Sequence, residues 1–114
     1  DQHKAQKFYT EKVGFIVKQN IPIGEDFWLT VGCADDDFEL SLEPNKLPSA
    51  IAFQKDIYEK SIPATALFVD DINAEYDRLK NLGVEFNMEP TQMGDVWVAS
   101  FDDTCGNLIQ LCMV

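Results

Sequence analysis

The stretch Ala5-Gln6-Lys7-Phe8-Tyr9-Thr10-Glu11-Lys12-Val13-Gly14-Phe15 decides the fold, because its pattern occurs twice. Slid along the chain by 69 positions, Ala5 falls on Ala74, Val13 on Leu82 and Gly14 on Gly83. Ala5, Phe8, Tyr9 and Val13 keep the spacing of one helix face, as do Ile72, Tyr76, Leu79 and Leu82. A glycine closes each run, because the left-handed residue that ends a helix is tolerated best without a Cβ.

Outward from the helices, the same order of elements follows in both copies. In the first, 15–19 and 27–31 read as strands, with a break at Asn20-Ile21-Pro22. A turn at 34–37 leads to a strand at 38–43, where Phe38, Leu40 and Leu42 alternate with Glu39, Ser41 and Glu43. In the second copy, 84–86, 96–101 and 108–112 read as strands, with a break at Glu89-Pro90 and a turn at 102–107. The offset sets Trp28 on Trp97 and Asp1 on Asp70, then grows to 71 to place Phe38-Glu39-Leu40 on Ile109-Gln110-Leu111. Two tandem units in one α+β domain, 1–114, follow. The first module covers about 1–43, a connector 44–63, and the second module about 64–114. The connector is framed by Pro44, Pro48 and Pro63, with a short helix expected at 49–59.

The second copy opens with an apolar strand at 65–69, just before Asp70. No such strand precedes Asp1. The expectation is that the first strand of module 1 is absent from the given sequence and that a raw sheet edge takes its place.

A chain of 114 residues with 46% hydrophobic side chains buries a core without disulfide or metal. Its net charge of −11 repels phosphate backbones and anionic lipid, so neither nucleic acid nor a membrane surface is expected as a partner. No apolar run reaches the ~18 residues of a membrane helix. The polar opening Asp1-Gln2-His3-Lys4 does not read as a secretory leader. Cys33, Cys105 and Cys112 show no C-x-x-C spacing and read as reduced thiols of a cytoplasmic protein.

The stretch at 5–15, Phe38-Glu39-Leu40-Ser41-Leu42-Glu43-Pro44, Phe68-Val69-Asp70-Asp71 and 101–111 together resemble the vicinal-oxygen-chelate superfamily. That superfamily includes glyoxalase I, bleomycin-resistance proteins and extradiol dioxygenases. The resemblance implies two βαβββ modules whose sheets form a cup, with the helices outside, and a homodimer. It places Glu39 and Ser41, with Gln110, on the cup face.

Metal-using members resemble one another in drawing His, Glu or Gln ligands from the first and last strand of each copy. Carried over, the first position lies about five residues before Asp1, and the second matches Glu39. The third matches Ala64, which has no donor; Thr65 beside it is a poor ligand and points the other way. The fourth matches Gln110, neutral and weaker than a carboxylate. The only histidine, His3, belongs to the start of the first helix. The expected cofactor is therefore none, with a divalent metal on Glu39 and Gln110 as the alternative.

Trp28 and Trp97 fall at matching positions and either line the cup as stacking surfaces or fill the core or a dimer seam. With Glu39 they would suit a cationic or amphipathic guest. Three functions remain open. One is a metal-free small-molecule binder of the bleomycin-resistance type. Another is a metal-dependent lyase, isomerase or dioxygenase. The third is a structural dimer with a vestigial cup.

Overall fold

A computed structural model describes residues 1–114. It divides into two compact units, Asp1–Pro48 and Ser49–Val114.

The first unit opens with α1 (Gln2–Phe8), whose N-terminus is capped by the Asp1 carboxylate accepting from the His3 and Lys4 amides. Its last turn, Tyr9–Val13, widens to a π-helical turn. There the Thr10 hydroxyl donates to the Gln6 carbonyl at 2.8 Å. Gly14, at φ +92°, ends it as expected. The sheet follows in the order β1 (Ile16–Ile23), β2 (Asp26–Gly32), β3 (Leu40–Ser41), all antiparallel. Leu29 and Val31 are buried toward the helix side with Phe8 and Tyr9. Tyr9, Phe15 and Phe38 continue this cluster, Phe15 meeting Phe38 edge-on at 5.7 Å.

One polar side chain fastens α1 to the sheet. Gln2 is buried and donates to the carbonyls of Phe27 (2.8 Å) and Leu42 (2.7 Å). Its Oε1 accepts from the Phe27 amide at 3.1 Å. Backbone groups that would otherwise be left unpaired are thus satisfied by one amide.

The second unit starts with α2 (Pro48–Glu59), close to the helix expected at 49–59. Gln54 of α2 donates to the Cys105 carbonyl and to Asn107 Oδ1, and Tyr58 donates to Asp102. β4 (Thr65–Phe68) leads to α3 (Ile72–Asn81), capped by Asp71, whose carboxylate accepts from the Ala74 amide. β5 (Phe86–Met93), β6 (Val96–Asp102) and β7 (Leu108–Met113) complete a mixed sheet of order β4-β7-β6-β5, with β4 parallel to β7. Ile72 and Leu79 of α3 pack toward Phe101, Ile109 and Leu111, all fully buried or nearly so. Leu82, expected on this helix face, is 39% exposed because the helix has already ended at Asn81.

Two expected breaks do not occur. β1 runs through Asn20-Ile21-Pro22 and β5 through Glu89-Pro90. Both are edge strands, where a missing N–H costs no ladder hydrogen bond. The expected strand at 38–43 shrinks to Leu40–Ser41, with the Leu42 amide still donating to the Leu29 carbonyl. The alternation expected there survives, with Leu42 buried and Glu39, Ser41 and Glu43 exposed.

Candidate functional site

Each sheet has one face against its helix and one face turned away from it. In the first unit the open face follows from register. Ile21 pairs with Trp28, Gln19 with Thr30, and Thr30 with Ser41, and paired residues project to the same side. Leu29 and Val31 take the helix side. Trp28, 45% exposed, therefore shares the open face with Thr30 and Ser41. Ile21 and Ile23 beside it are also exposed.

Glu39 is drawn onto this face by two donors. The Thr30 hydroxyl donates to its Oε1 at 2.5 Å and Gln19 Nε2 at 2.8 Å. The Thr30 hydrogen bond, then that of Gln19, hold the Glu39 carboxyl below its usual range; a weaker pull comes from Lys18. Both bonds end on Oε1. The indole of Trp28 lies one alternate position along β2 from Thr30, about 7 Å by strand rise.

In the second unit Ser100 pairs with Gln110 and Met88, and Gln110 with Ala66. The neighbouring row is Val98, Cys112 and Phe68. These two rows make the face turned away from α3; Val98, Ser100 and Cys112 on it are buried, and Phe68 is exposed. Gln110 Nε2 donates to Cys112 Sγ at 3.1 Å. Ser100 is 3% exposed, and its hydroxyl has no hydrogen-bond partner.

Trp97 is not on this face. It lies with Ala99 and Phe101, and Phe101 packs against Phe86, which in turn meets Tyr76 of α3. The match of Trp97 to Trp28 is corrected by the hairpins. Gly24 and Gly94, at φ +61° and +63°, hold the same turn in the two copies. Counted from these glycines, Trp97 corresponds to Phe27, and Trp28 to Val98. The physical reason is a bulge. β1 carries one register shift, between Val17 and Gln19, whereas β5 carries two, Phe86/Met88 and Met88/Thr91. The extra residue moves the offset from 69 to 70, and a slip of one residue exchanges the two faces of a strand.

The same count corrects the position matched to Gln110. Thr30 and Ser100 are counterparts, and their partners on the next strand are Ser41 and Gln110. Ser41, not Glu39, is therefore the counterpart of Gln110; Glu39 precedes the first paired residue of β3 and corresponds to Leu108. This bears on a metal. The matching position in the first unit is a serine hydroxyl, a poor ligand for a divalent ion. In the second unit Gln110 is a neutral amide already turned to Cys112, and Ala64 brings no donor. No three His, Cys, Asp or Glu side chains converge anywhere in the chain. The residues present do not make a metal centre.

Thr30, Gln19, Ser100 and Met88 were not singled out by sequence. Alignment on the two turn glycines is the signal that finds them, since it sets a hydroxyl at the same strand position in both copies.

Two cavities lie elsewhere. One, of about 340 Å³, is lined by Phe68, Val69, Asp70, Asp71, Ala74 and Glu75 at the start of α3. The other, of about 310 Å³, lies between the start of α1 and the β1–β2 hairpin, with Lys46 bridging to Asp26 at 2.7 Å. Neither includes Trp28, Glu39, Ser41, Trp97 or Gln110. Cys33, Cys105 and Cys112 are all free thiols.

Known proteins are similar to this chain. The uncharacterized protein YurT of Bacillus subtilis (strain 168) is 53% identical over 113 residues, 97% of this chain and 89% of that protein. The crystal structure of UcmS2 is 36% identical with a TM-score of 0.84, covering 98% of this chain and 89% of its own. TnmS3, described as an antibiotic binding protein from Streptomyces sp. CB03234, is 30% identical with a TM-score of 0.79, covering 99% and 86%. The family model of the Glyoxalase/Bleomycin resistance protein/Dioxygenase superfamily matches residues 1–111. With the duplicated helix-and-sheet unit derived above, this match makes the chain a member of that superfamily.

Proposed function

We propose that this chain is a metal-free binder of a small amphipathic molecule, acting as one domain over residues 1–114. The observation that carries the reading is the pair of groups on the open face of the first sheet. Glu39 accepts from Thr30 and Gln19, which lower its pKa, on the same face as the exposed indole of Trp28. A carboxylate and an aromatic face on one apolar floor suit a guest with a cationic group and a flat ring. Ser41 borders the same floor. The similarity to an antibiotic-binding protein supports the class of occupant. The reading includes a cytoplasmic homodimer, supported by the free thiols and by the pairing expected of the superfamily.

Titration of tryptophan fluorescence with a panel of cationic aromatic compounds tests it. Saturable quenching is expected, lost in Trp28→Phe, kept in Trp97→Phe, and weakened in Glu39→Gln. Absence of quenching by every compound would sink the reading. Sedimentation velocity tests the dimer.

A further inference from the structure

Helix α2 is fastened to its unit by polar side chains rather than by a buried face. None of its twelve residues is buried, and Ile51 and Phe53 stand exposed. By contrast, α3 buries Ile72 and Leu79. A helix of about this length is marginal alone in water, because tertiary packing supplies most of the stability of short helices.

The bonds that tie α2 down converge on one turn, 102–107. Gln54 Nε2 donates to the Cys105 carbonyl at 3.1 Å and to Asn107 Oδ1 at 2.9 Å. The Tyr58 hydroxyl donates to Asp102. Residues four apart share a helix face, so both side chains reach the turn from the same side. The turn has an internal frame of its own. Asp103, fully buried, accepts from the Cys105 and Asn107 amides and from Asn107 Nδ2. Gly106 lies against Gln54, and a Cβ there would stand 3.1 Å from its Nε2. Both ends of α2 are set by the sequence. Pro48 is its first residue, and Ser61, at φ +58°, turns the chain away just after its end. There the Ser61 amide donates to the Tyr58 carbonyl and the Ile62 amide to the Ile57 carbonyl, ahead of Pro63.

We infer that α2 is a latched strap, which opens as a unit from the turn 102–107 while the sheet β4-β7-β6-β5 stays folded, and which Gln54 and Tyr58 hold shut. A segment with little buried apolar surface opens at a lower free energy than the core it lies on. Opening gives the Cys105 carbonyl, Asn107 Oδ1 and the Asp102 carboxylate to water. The bonds that centre on Asp103 involve no residue of α2 and remain.

Native-state hydrogen exchange of the full chain, read by NMR at low urea concentrations, tests the strap. Amides 53–59 are expected to exchange on the order of 100-fold faster than those of Ala99 and Leu111, with little dependence on urea, and still more slowly than in an unstructured peptide. Tyr58→Phe removes the hydroxyl, and Gln54→Met removes the donor at similar helix propensity. Each is expected to speed exchange at 53–59 by about 3- to 10-fold and to leave Ala99 and Leu111 unchanged. Asp102→Ala leaves the sequence of α2 untouched and is expected to have the same effect, which a change of helix propensity alone would not produce. Exchange of 53–59 at the rate of the sheet, with the same urea dependence, overturns separate opening. Rates equal to those of an unstructured peptide, or unmoved by Tyr58→Phe or by Asp102→Ala, overturn the latch.

Discussion

Thr30 donates its hydroxyl hydrogen bond to Oε1 of Glu39 at 2.5 Å and, together with Gln19, holds the carboxylate on the open face of the first sheet. It is also the first cause of the lowered Glu39 pKa, ahead of the bond from Gln19. A carboxyl whose folded pKa is depressed contributes stability above its unfolded pKa. That contribution is lost as pH falls through the folded value. Thr30→Val keeps the β-branched shape and removes the donor. The carboxyl carbon resonance of Glu39 is expected to titrate at higher pH in Thr30→Val than in the unchanged chain. An unmoved titration would deny Thr30 its role.

The opposite faces of Trp28 and Trp97 give a second prediction. Trp28 is 45% exposed on the open face, and Trp97 lies on the side of Phe101 and α3. Acrylamide is expected to quench mainly Trp28. In Trp28→Phe the remaining emission should be shifted to the blue and only weakly quenched. If Trp97→Phe removes the quenchable part instead, the hairpin alignment on Gly24 and Gly94 is wrong.

The duplication, both helices, the helix stops at Gly14 and Gly83 and five of the seven strands were legible because they rest on local periodicity and on glycine. Two of the edge strands, β1 and β5, were foreshortened ahead of Pro22 and Pro90, because a proline reads as a break until the strand is known to lie at an edge. The faces were less legible. A bulge leaves no mark in composition, yet the second bulge in β5 breaks the match of Trp97 to Trp28 and sets the two on opposite faces. Alternation with Leu40 set Glu39 on a polar face and the family resemblance set that face on the cup, whereas its partners Thr30 and Gln19 lie on other strands and needed the register. Gln2 carried no signal, since a polar residue in a first helical turn is ordinarily solvated.

Gln2 supplies the third prediction. Its side chain makes three hydrogen bonds that tie α1 to Phe27 and Leu42. Gln2→Ala leaves two carbonyls and one amide to find other partners, at a cost of about 2–3 kcal/mol in urea unfolding. Gln2→Glu is expected to cost more, because a carboxylate would face the same two carbonyls with no N–H to give them.

Gly32 tests how tightly the loop bearing Glu39 is held. A Cβ there would lie 2.5 Å from the Phe38 carbonyl oxygen and 3.3 Å from Lys18 Cε. The lysine end can swing aside, but the carbonyl is backbone and must move with its loop. Gly32→Ala is therefore expected to destabilise by about 1–3 kcal/mol. Phe38 immediately precedes Glu39, so the same displacement lengthens the Thr30 bond and raises the Glu39 pKa. Gly24→Ala is the contrast. Its Cβ would meet nothing within 4 Å, and its cost comes only from φ +61°. It is expected to destabilise the hairpin and leave the Glu39 titration where it was. A Glu39 shift in Gly24→Ala, or none in Gly32→Ala, would mean that the carboxylate is positioned by something other than the close approach of Phe38 to β2.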